Sequence, residues 1–399
     1  MDLSHGGKIV GGALLVAGTA IGGGMLALPV LTAPGGFIPA VSIYFVCWLF
    51  MACTGLLLME VVLWGETEVN IVSMARKTLG VVGKVVAWGI YLFLFYSLTV
   101  AYVAGGGGLV EDLFEAVGKT DYPSWIGPLI FVLIFAPFVA FGAKAVDRIN
   151  IILMGGLIIS FLVLVFLGIS HIQLDLLTNI NWPLALAATP VIFTSFGFQG
   201  LVPTLTHYLD RKPHTVKWAI IIGSALPLVV YIIWEGLILG VVPLDKLEET
   251  RLLGQSAVAP LKSVLHLPWL YRVGECFAFF ALVTSFLGVT LGLLDFLADG
   301  LKIEKNPRGR TLLSLLIFVP PLLFAMFNPC MFLNALHYAG GLGCALLLGL
   351  LPILMAWSGR YRLKLKSEYS LPGGKITLTI LILFIIFELV QMVIKFFQV

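Results

Sequence analysis

Apolar runs long enough to cross a bilayer recur from one end of this chain to the other. A spanning helix needs roughly 20 apolar residues. The chain supplies such runs over its whole 399 residues, with 60% hydrophobic and only 11% charged side chains. Soluble domains carry about a quarter of their residues as charges, so no soluble core accounts for this composition, and mean hydropathy is +1.05. The first run starts at Ile9, behind Lys8, and no small-residue cleavage site follows it. It reads as a retained helix and not a signal peptide. A net charge of +3 carries no information about nucleic acid.

The pattern predicts an all-α polytopic membrane protein with eleven spans, at approximately 8–31, 37–63, 84–108, 124–142, 150–168, 184–206, 217–241, 270–300, 311–327, 331–357 and 376–397. The longest connection, 242–269, holds a candidate surface helix from Ser256 to Leu265. The 24 Lys and Arg test the count. With the amino terminus inside, only Lys119, Lys246, Arg251, Lys262, Arg272 and Lys395 fall on outer segments. That is the positive-inside pattern, with the carboxyl terminus outside.

Two of the runs are interrupted by glycine. Residues 18–29 read GTAIGGGMLALP and residues 193–203 read FTSFGFQGLVP. In each, a Gly stands six residues before a Pro: Gly23 before Pro29, and Gly197 before Pro203. Glycine frees the backbone and proline removes a donor. Backbone groups freed inside a bilayer need a partner, and a cavity holding a ligand supplies one. The breaks fall in spans 1 and 6, so five spans separate them and the topology inverts. That predicts an inverted repeat, about 8–168 and 184–357, with 376–397 added, all within one transporter domain. Close packing of glycine-rich helices is the plainer explanation of either break taken alone.

Ala20, Ile21, Gly22, Gly23 and Gly24 can turn backbone N–H groups toward an anion near a half-helix end. Ser195 to Gly200 can offer carbonyls to an ammonium group, so the two breaks together suit a zwitterion. Ser195, Phe196, Gly197, Phe198 and Gln199 are the candidates there, and Gln199 carries an amide that needs a partner in hydrocarbon. In span 3, Tyr96 falls at mid-depth and suits the wall of a pocket for an aromatic side chain, whereas Tyr91 and Tyr102 fit an interfacial belt. In span 8, Thr284 and Ser285 lie near the midpoint and are candidates to help hold Na⁺. Each hydroxyl can equally bond its own helix backbone. Glu60, Glu235 and His337 are ionisable groups within spans and hence ion-coupling candidates; Asp295 and Glu388 are further embedded acids.

Catalysis finds little support. Asp295 and Asp299 stand four apart on one helix face, as in membrane prenyltransferases that hold Mg²⁺ and a diphosphate. No second acidic cluster faces them in the sequence. There is no phosphate-binding loop, and Cys47, Cys53, Cys276, Cys330 and Cys344 have no metal-ligand spacing. The expectation is a transporter and not an enzyme, with no cofactor and no metal. A passive channel would call for a charged ring that the sequence lacks.

The GTAIGGGMLALP string, Tyr102 to Gly108 (YVAGGGG) and Ala281 to Gly300 (ALVTSFLGVTLGLLDFLADG) carry a resemblance. The chain resembles the bacterial hydroxy/aromatic amino acid permeases, most closely the tyrosine-specific ones, from span 1 through span 11. The resemblance implies a LeuT-type five-plus-five fold with broken helices 1 and 6, in the bacterial inner membrane. It implies proton-coupled symport of an aromatic amino acid, with tyrosine first among the substrates. The partners it implies are that substrate, a coupling cation and the lipid bilayer. Some proton-driven relatives of this fold place a Lys on span 5 where a sodium site would be. Span 5 here, Asn150 to Gly168, has none, so a Na⁺-coupled carrier for a neutral amino acid stands as the alternative.

Overall fold

The computed structural model describes residues 5–65, 70–116, 118, 123–264 and 268–397. Among these, eight helices are long and apolar enough to cross a membrane. Six are continuous α-helices: α3 (Phe37–Leu63), α6 (Ala143–Gly168), α10 (Pro213–Val241), α13 (Pro268–Leu301), α14 (Pro307–Phe327) and α17 (Gly374–Phe397). A seventh, α4 (Ile71–Ala116), bends at Gly80, whose φ of 77° is open to glycine and unfavourable to other residues. The eighth runs from α15 (Phe332–Tyr338) through a π-helical stretch, Ala339–Leu350, into α16 (Leu351–Trp357).

Eleven spans were expected, with the first and sixth broken, and the difference from eight has a local cause. The fourth expected span is α5 (Ile126–Phe141), only 16 residues long. The first is cut into α1 (His5–Ala20), a 3₁₀ turn at Gly23–Leu26 and α2 (Leu28–Thr32). The sixth is cut into α8 (Thr189–Ser195), a 3₁₀ turn at Gln199–Leu201 and α9 (Val202–Tyr208), with α7 (Trp182–Leu186) ahead of it. No piece of a broken run is long enough to cross alone. Pro29 and Pro203 each sit in the first turn of the helix that follows a break, where the missing N–H costs nothing. The recurring Gly-to-Pro spacing therefore marks where a helix stops and restarts.

The loop between α10 and α13 is more ordered than the sequence suggested. It forms α11 (Leu244–Leu252), then turns, then α12 (Leu261–Val264). The candidate helix from Ser256 thus starts late, and Leu265 lies outside the described residues.

α1 lies along α10, and α3 packs on the same helix. α13 lies against both α4 and α6, and the α15–α16 helix packs on α4 and α8. The largest fully buried side chains include Trp234, Tyr44, Tyr231, Phe193, Phe196 and Phe198, which gather around the two breaks. Two arginines fasten the carboxyl-terminal end of α3. Arg211 donates to the carbonyls of Leu63 (3.2 Å) and Gly65 at the end of α3, where a cation complements the helix dipole. Arg360 makes a two-pronged pair with Glu60, its Nε 2.7 Å from Oε1, and Glu60 also accepts the Leu371 N–H at 3.0 Å.

Both members of that pair are nearly sealed from solvent, at 10% and 2% side-chain exposure. Removing one leaves the other buried and uncompensated, at a cost of roughly 3–5 kcal/mol. Glu60→Ala is expected to lower the melting temperature in detergent well beyond the effect of an exposed substitution such as Glu249→Ala. Equal melting temperatures for the two variants would show that the pair does not anchor this end of α3.

Candidate functional site

The two breaks meet. At the first, Gly22 takes an extended conformation (φ −173°, ψ −152°) and the chain then tightens into its 3₁₀ turn. Three glycines there face three different helices at a spacing that leaves no room for a side chain. A Cβ on Gly22 would lie 2.1 Å from the Ser285 Oγ of α13. One on Gly23 would lie 2.7 Å from the Tyr102 ring of α4, and one on Gly24 would lie 2.9 Å from the Ser195 Oγ of α8. The Gly23 N–H donates to Ser285 Oγ at 2.8 Å, and Ser285 is also a hydrogen-bond partner of Tyr102.

One face of α10 closes the broken backbone. The Tyr231 hydroxyl stands 2.8 Å from the carbonyl of Ala20 and 2.8 Å from that of Ser195. These are the last residues of α1 and α8, so one O–H is shared between the ends of both interrupted helices. One turn further along, Trp234 Nε1 donates to the Met25 carbonyl at 2.9 Å. Glu235 follows, with one carboxyl oxygen bonded to Thr32 Oγ1 at the end of α2 and the other accepting from the Tyr44 hydroxyl of α3 at 2.6 Å. Positions 231, 234 and 235 share a helix face by their spacing.

The structure brings Ala20, Gly22, Gly23, Gly24, Ser195 and Ser285 together. Phe196 stands beside them, edge-on to Tyr44 and Tyr231. Other candidates point elsewhere. Gln199 donates from Nε2 to the Met51 carbonyl (3.1 Å) and to Thr54 (3.0 Å), and its Oε1 accepts the Phe198 N–H. It thereby ties the second break to α3. The Phe198 ring lies over Gly55 of α3. Gly197 borders Leu348 and Cys344 of the π-helical stretch, a deviation frequent at functional sites. The Tyr96 hydroxyl donates to the Leu316 carbonyl of α14 at 2.8 Å, away from the breaks. Thr284 donates back to the Phe280 carbonyl of its own helix at 2.8 Å. Glu60 is held by Arg360, and His337 lines a cavity of about 520 Å³ with Leu31, Pro34 and Arg251. Asp295 pairs with Lys305 at 2.7 Å on an exposed surface.

Sequence reasoning missed Tyr44, Tyr102, Tyr231 and Trp234. Tyr231 and Trp234 were legible in principle as polar-tipped aromatics in mid-span, since such groups need partners when buried. A second cavity, of about 320 Å³, is lined by Gly105, Asp112, Ser256, Leu282 and Phe332 among others. Leu282 also stands 3.3 Å from where a Gly23 Cβ would be. Leu282 therefore borders both this cavity and the first break.

The model of the tryptophan/tyrosine permease family matches residues 5–392. The chain belongs to that family. The permease chain is 36% identical to "Tyrosine-specific transport system 1" of Haemophilus influenzae, over 94% of each chain. It is 34% identical to that organism's "Tryptophan-specific transport protein", covering 97% of this chain and 96% of the relative. Its backbone superposes on the crystal structure of MhsT in complex with L-phenylalanine with a TM-score of 0.63, at 17% identity, over 95% of this chain and 98% of the other. This permease is thus a multi-pass, all-α bacterial membrane protein related to the LeuT fold, and a transport protein.

Tyr231→Phe removes the hydroxyl shared by Ala20 and Ser195 and keeps the ring. Leaving buried carbonyls unpaired costs roughly 1–3 kcal/mol. The variant should melt measurably below wild type in detergent while keeping its helical circular dichroism. An unchanged melting curve would mean that the two carbonyls do not depend on Tyr231.

Proposed function

We propose that this protein imports an aromatic amino acid, tyrosine first, by proton symport across the bacterial inner membrane. The observation that carries the reading is the meeting of two broken helices, with glycine backbone on one side and Ser195 on the other. A free amino acid offers a carboxylate and an ammonium one carbon apart. Backbone donors of residues 20–24 suit the first, and carbonyls of the second break suit the second. In this reading the substrate carboxylate replaces Ser285 Oγ at the Gly23 N–H, and α13 moves off the break to admit it. Phe196, Tyr44 and Tyr102 supply ring surfaces for an aromatic side chain. The names of the relatives support tyrosine or tryptophan as the substrate.

Eleven crossings in two inverted five-helix arms fit the packing. α3 pairs with α10, and α4 with α13, each with its counterpart in the other arm. α1 on α10 is matched by α8 and α9 on α3, and α6 on α13 by the α15–α16 helix on α4. The Lys and Arg bias supports an inside amino terminus and an outside carboxyl terminus. The two hydroxyls a sodium site would use are engaged here, Thr284 with the Phe280 carbonyl and Ser285 with the Gly23 N–H.

Uptake into proteoliposomes tests the reading. An inward-acid gradient without sodium should concentrate labelled tyrosine, and a protonophore should stop it. Tryptophan and phenylalanine should compete, while alanine and leucine should not. Accumulation that needs external Na⁺ would move the ion site to Thr284 and Ser285, and displacement by leucine as good as by tryptophan would refute the aromatic pocket.

A second test addresses the break. Gly23→Val puts a β-branched side chain against Tyr102 and restricts the backbone. Tyrosine binding by the purified variant is expected to be lost, with its helical signal and monodispersity retained. Undiminished binding would remove the first break from the site.

A further inference from the structure

Glu235 is fully buried, and its hydrogen bonds join α10 to α2 and α3. The bookkeeping of hydrogens around it is restrictive. Thr32 has one hydroxyl hydrogen, and its Oγ1 lies 2.7 Å from the Leu28 carbonyl as well as against Glu235 Oε1. A carbonyl only accepts. With the Thr32 hydrogen on Leu28, the Thr32 oxygen offers a lone pair to Glu235, and the hydrogen between them must belong to the carboxyl. Tyr44 donates to the other oxygen. A neutral Glu235 thus satisfies every group in the chain from Tyr44 to Leu28. An ionised Glu235 requires Thr32 to turn its hydrogen away from Leu28, which leaves that carbonyl one partner short.

From this geometry we infer that Glu235 is the proton-binding group of the transport cycle and that its proton reverses the direction of the hydrogen bond that latches α2, the outer half of the broken first span, onto α10. The inference rests on the proton-symport reading above and gives that reading a residue. On binding, the carboxylate takes one proton, its Oε1 then donates to Thr32, and Thr32 returns its hydrogen to Leu28. On release, the proton leaves, Thr32 turns to the carboxylate, and the end of α2 loses its tie to its own first turn. Because α2 begins directly after the glycine break, a change in its hold on α10 is felt where the substrate carboxylate would bind.

The surroundings fit a switching proton and not a fixed ion pair. The groups bonded to Glu235 are hydroxyls, Thr32 from α2 and Tyr44 from α3. Tyr231 stands on its own helix, bonded to the breaks. From α6, Phe161 packs on the neighbouring Trp234. The charged and titratable groups on the outer side of α2 are His337 and the Glu248–Arg251 pair, which line the cavity that also contains Leu31 and Pro34. Those two residues flank Thr32 closely, so the cavity approaches the latch from the side a periplasmic proton would use.

Glu235→Gln is the direct test, because an amide imitates the neutral acid: its NH₂ donates to Thr32 and its carbonyl accepts from Tyr44. Reconstituted Glu235→Gln should exchange labelled tyrosine across the liposome membrane but fail to concentrate it under an inward-acid gradient, and its exchange should lose its pH dependence. Wild-type liposomes run in parallel. If wild type does not concentrate tyrosine under the gradient, the proton-symport reading falls and this assignment with it. If both wild type and Glu235→Gln concentrate it, only the assignment is overturned. The same holds if Glu388→Gln, at a buried acid of α17 whose carboxyl oxygens make no hydrogen bond, uncouples transport while Glu235→Gln does not. A folded Glu235→Gln that loses exchange as well as accumulation also overturns it, since the residue would then serve the substrate step. Should Glu235→Gln not fold, Tyr44→Phe decides. It removes a donor that favours the ionised form, so the pH midpoint of uptake should move upward, and an unmoved midpoint with unchanged exchange would overturn the assignment.

Discussion

The interrupted helices depend on hydrogen bonds that α10 gives back to them. A helix broken in mid-membrane exposes carbonyls and N–H groups that have no water to turn to, and each unsatisfied group costs several kcal/mol. The Tyr231 hydroxyl lies between the last carbonyls of α1 and α8, and Trp234 takes the Met25 carbonyl inside the first break. Without this face the glycines would lack the support that holds them open, and continuous helices would be the cheaper structure. The second break is secured differently. Gln199 spends its amide on α3 and on its own backbone, so a residue that looked like a ligand group in the sequence is a brace for the site.

The breaks were legible in the sequence because they are written in backbone chemistry. Gly22, Gly23 and Gly24 have no side chain to place, and Pro29 and Pro203 restart the helices after them, so the local string fixes the local structure. The side chains that serve the breaks were harder to read. Tyr96 and Tyr102 lie six residues apart on one helix, and only the rotation of α4 against its neighbours decides which of them faces Gly23. The sequence favoured Tyr96, which reaches α14, while Tyr102 lies on the break. The same holds for Thr284 and Ser285: adjacent residues point about 100° apart on a helix, and Ser285 faces the first break while Thr284 returns its hydrogen to its own helix. Helix rotation is set by long-range packing, which a single sequence does not display. Length misleads in the same way, since an interrupted run and a continuous one have the same hydropathy and differ only in where the backbone bonds stop.

The seam at the first break is thin. On one side stand α1, α2 and α8, held by α10; on the other stand α4 and α13. The described contacts across it at the glycines are a backbone N–H to Ser285, the Tyr102 ring on Gly23, and Leu282. Glycine buries little apolar area, so parting this seam forfeits little hydrophobic stabilisation at about 25 cal/mol per Å². The contacts within each side are of another kind: Phe196 against Tyr44 and Tyr231, and Phe131 against Phe286. Across the seam, Trp234 with Phe277 is the exception, since it joins α10 to α13 directly.

That exception bears on how the proposed cycle divides its motion. Trp234 and Phe277 are both fully buried and meet at a tilt of 55° with ring centroids 5.0 Å apart, a contact costly to open. If α10 stays with α13 through this pair, the mobile part nearest the cavity beside Leu282 reduces to α2 and the loop tied to it, where Ala257 donates to the Leu26 carbonyl at 2.9 Å. α2 is five residues long, too short to hold itself as a helix without neighbours. Its position is therefore set by its bonds to others: Leu26 to that loop, Met25 to Trp234, and Thr32 to Glu235. Of these three, the last involves a group that can gain or lose a proton. A segment that cannot stand alone and is held by one titratable contact is where a proton gradient can act on a substrate site with the least displacement of the surrounding protein.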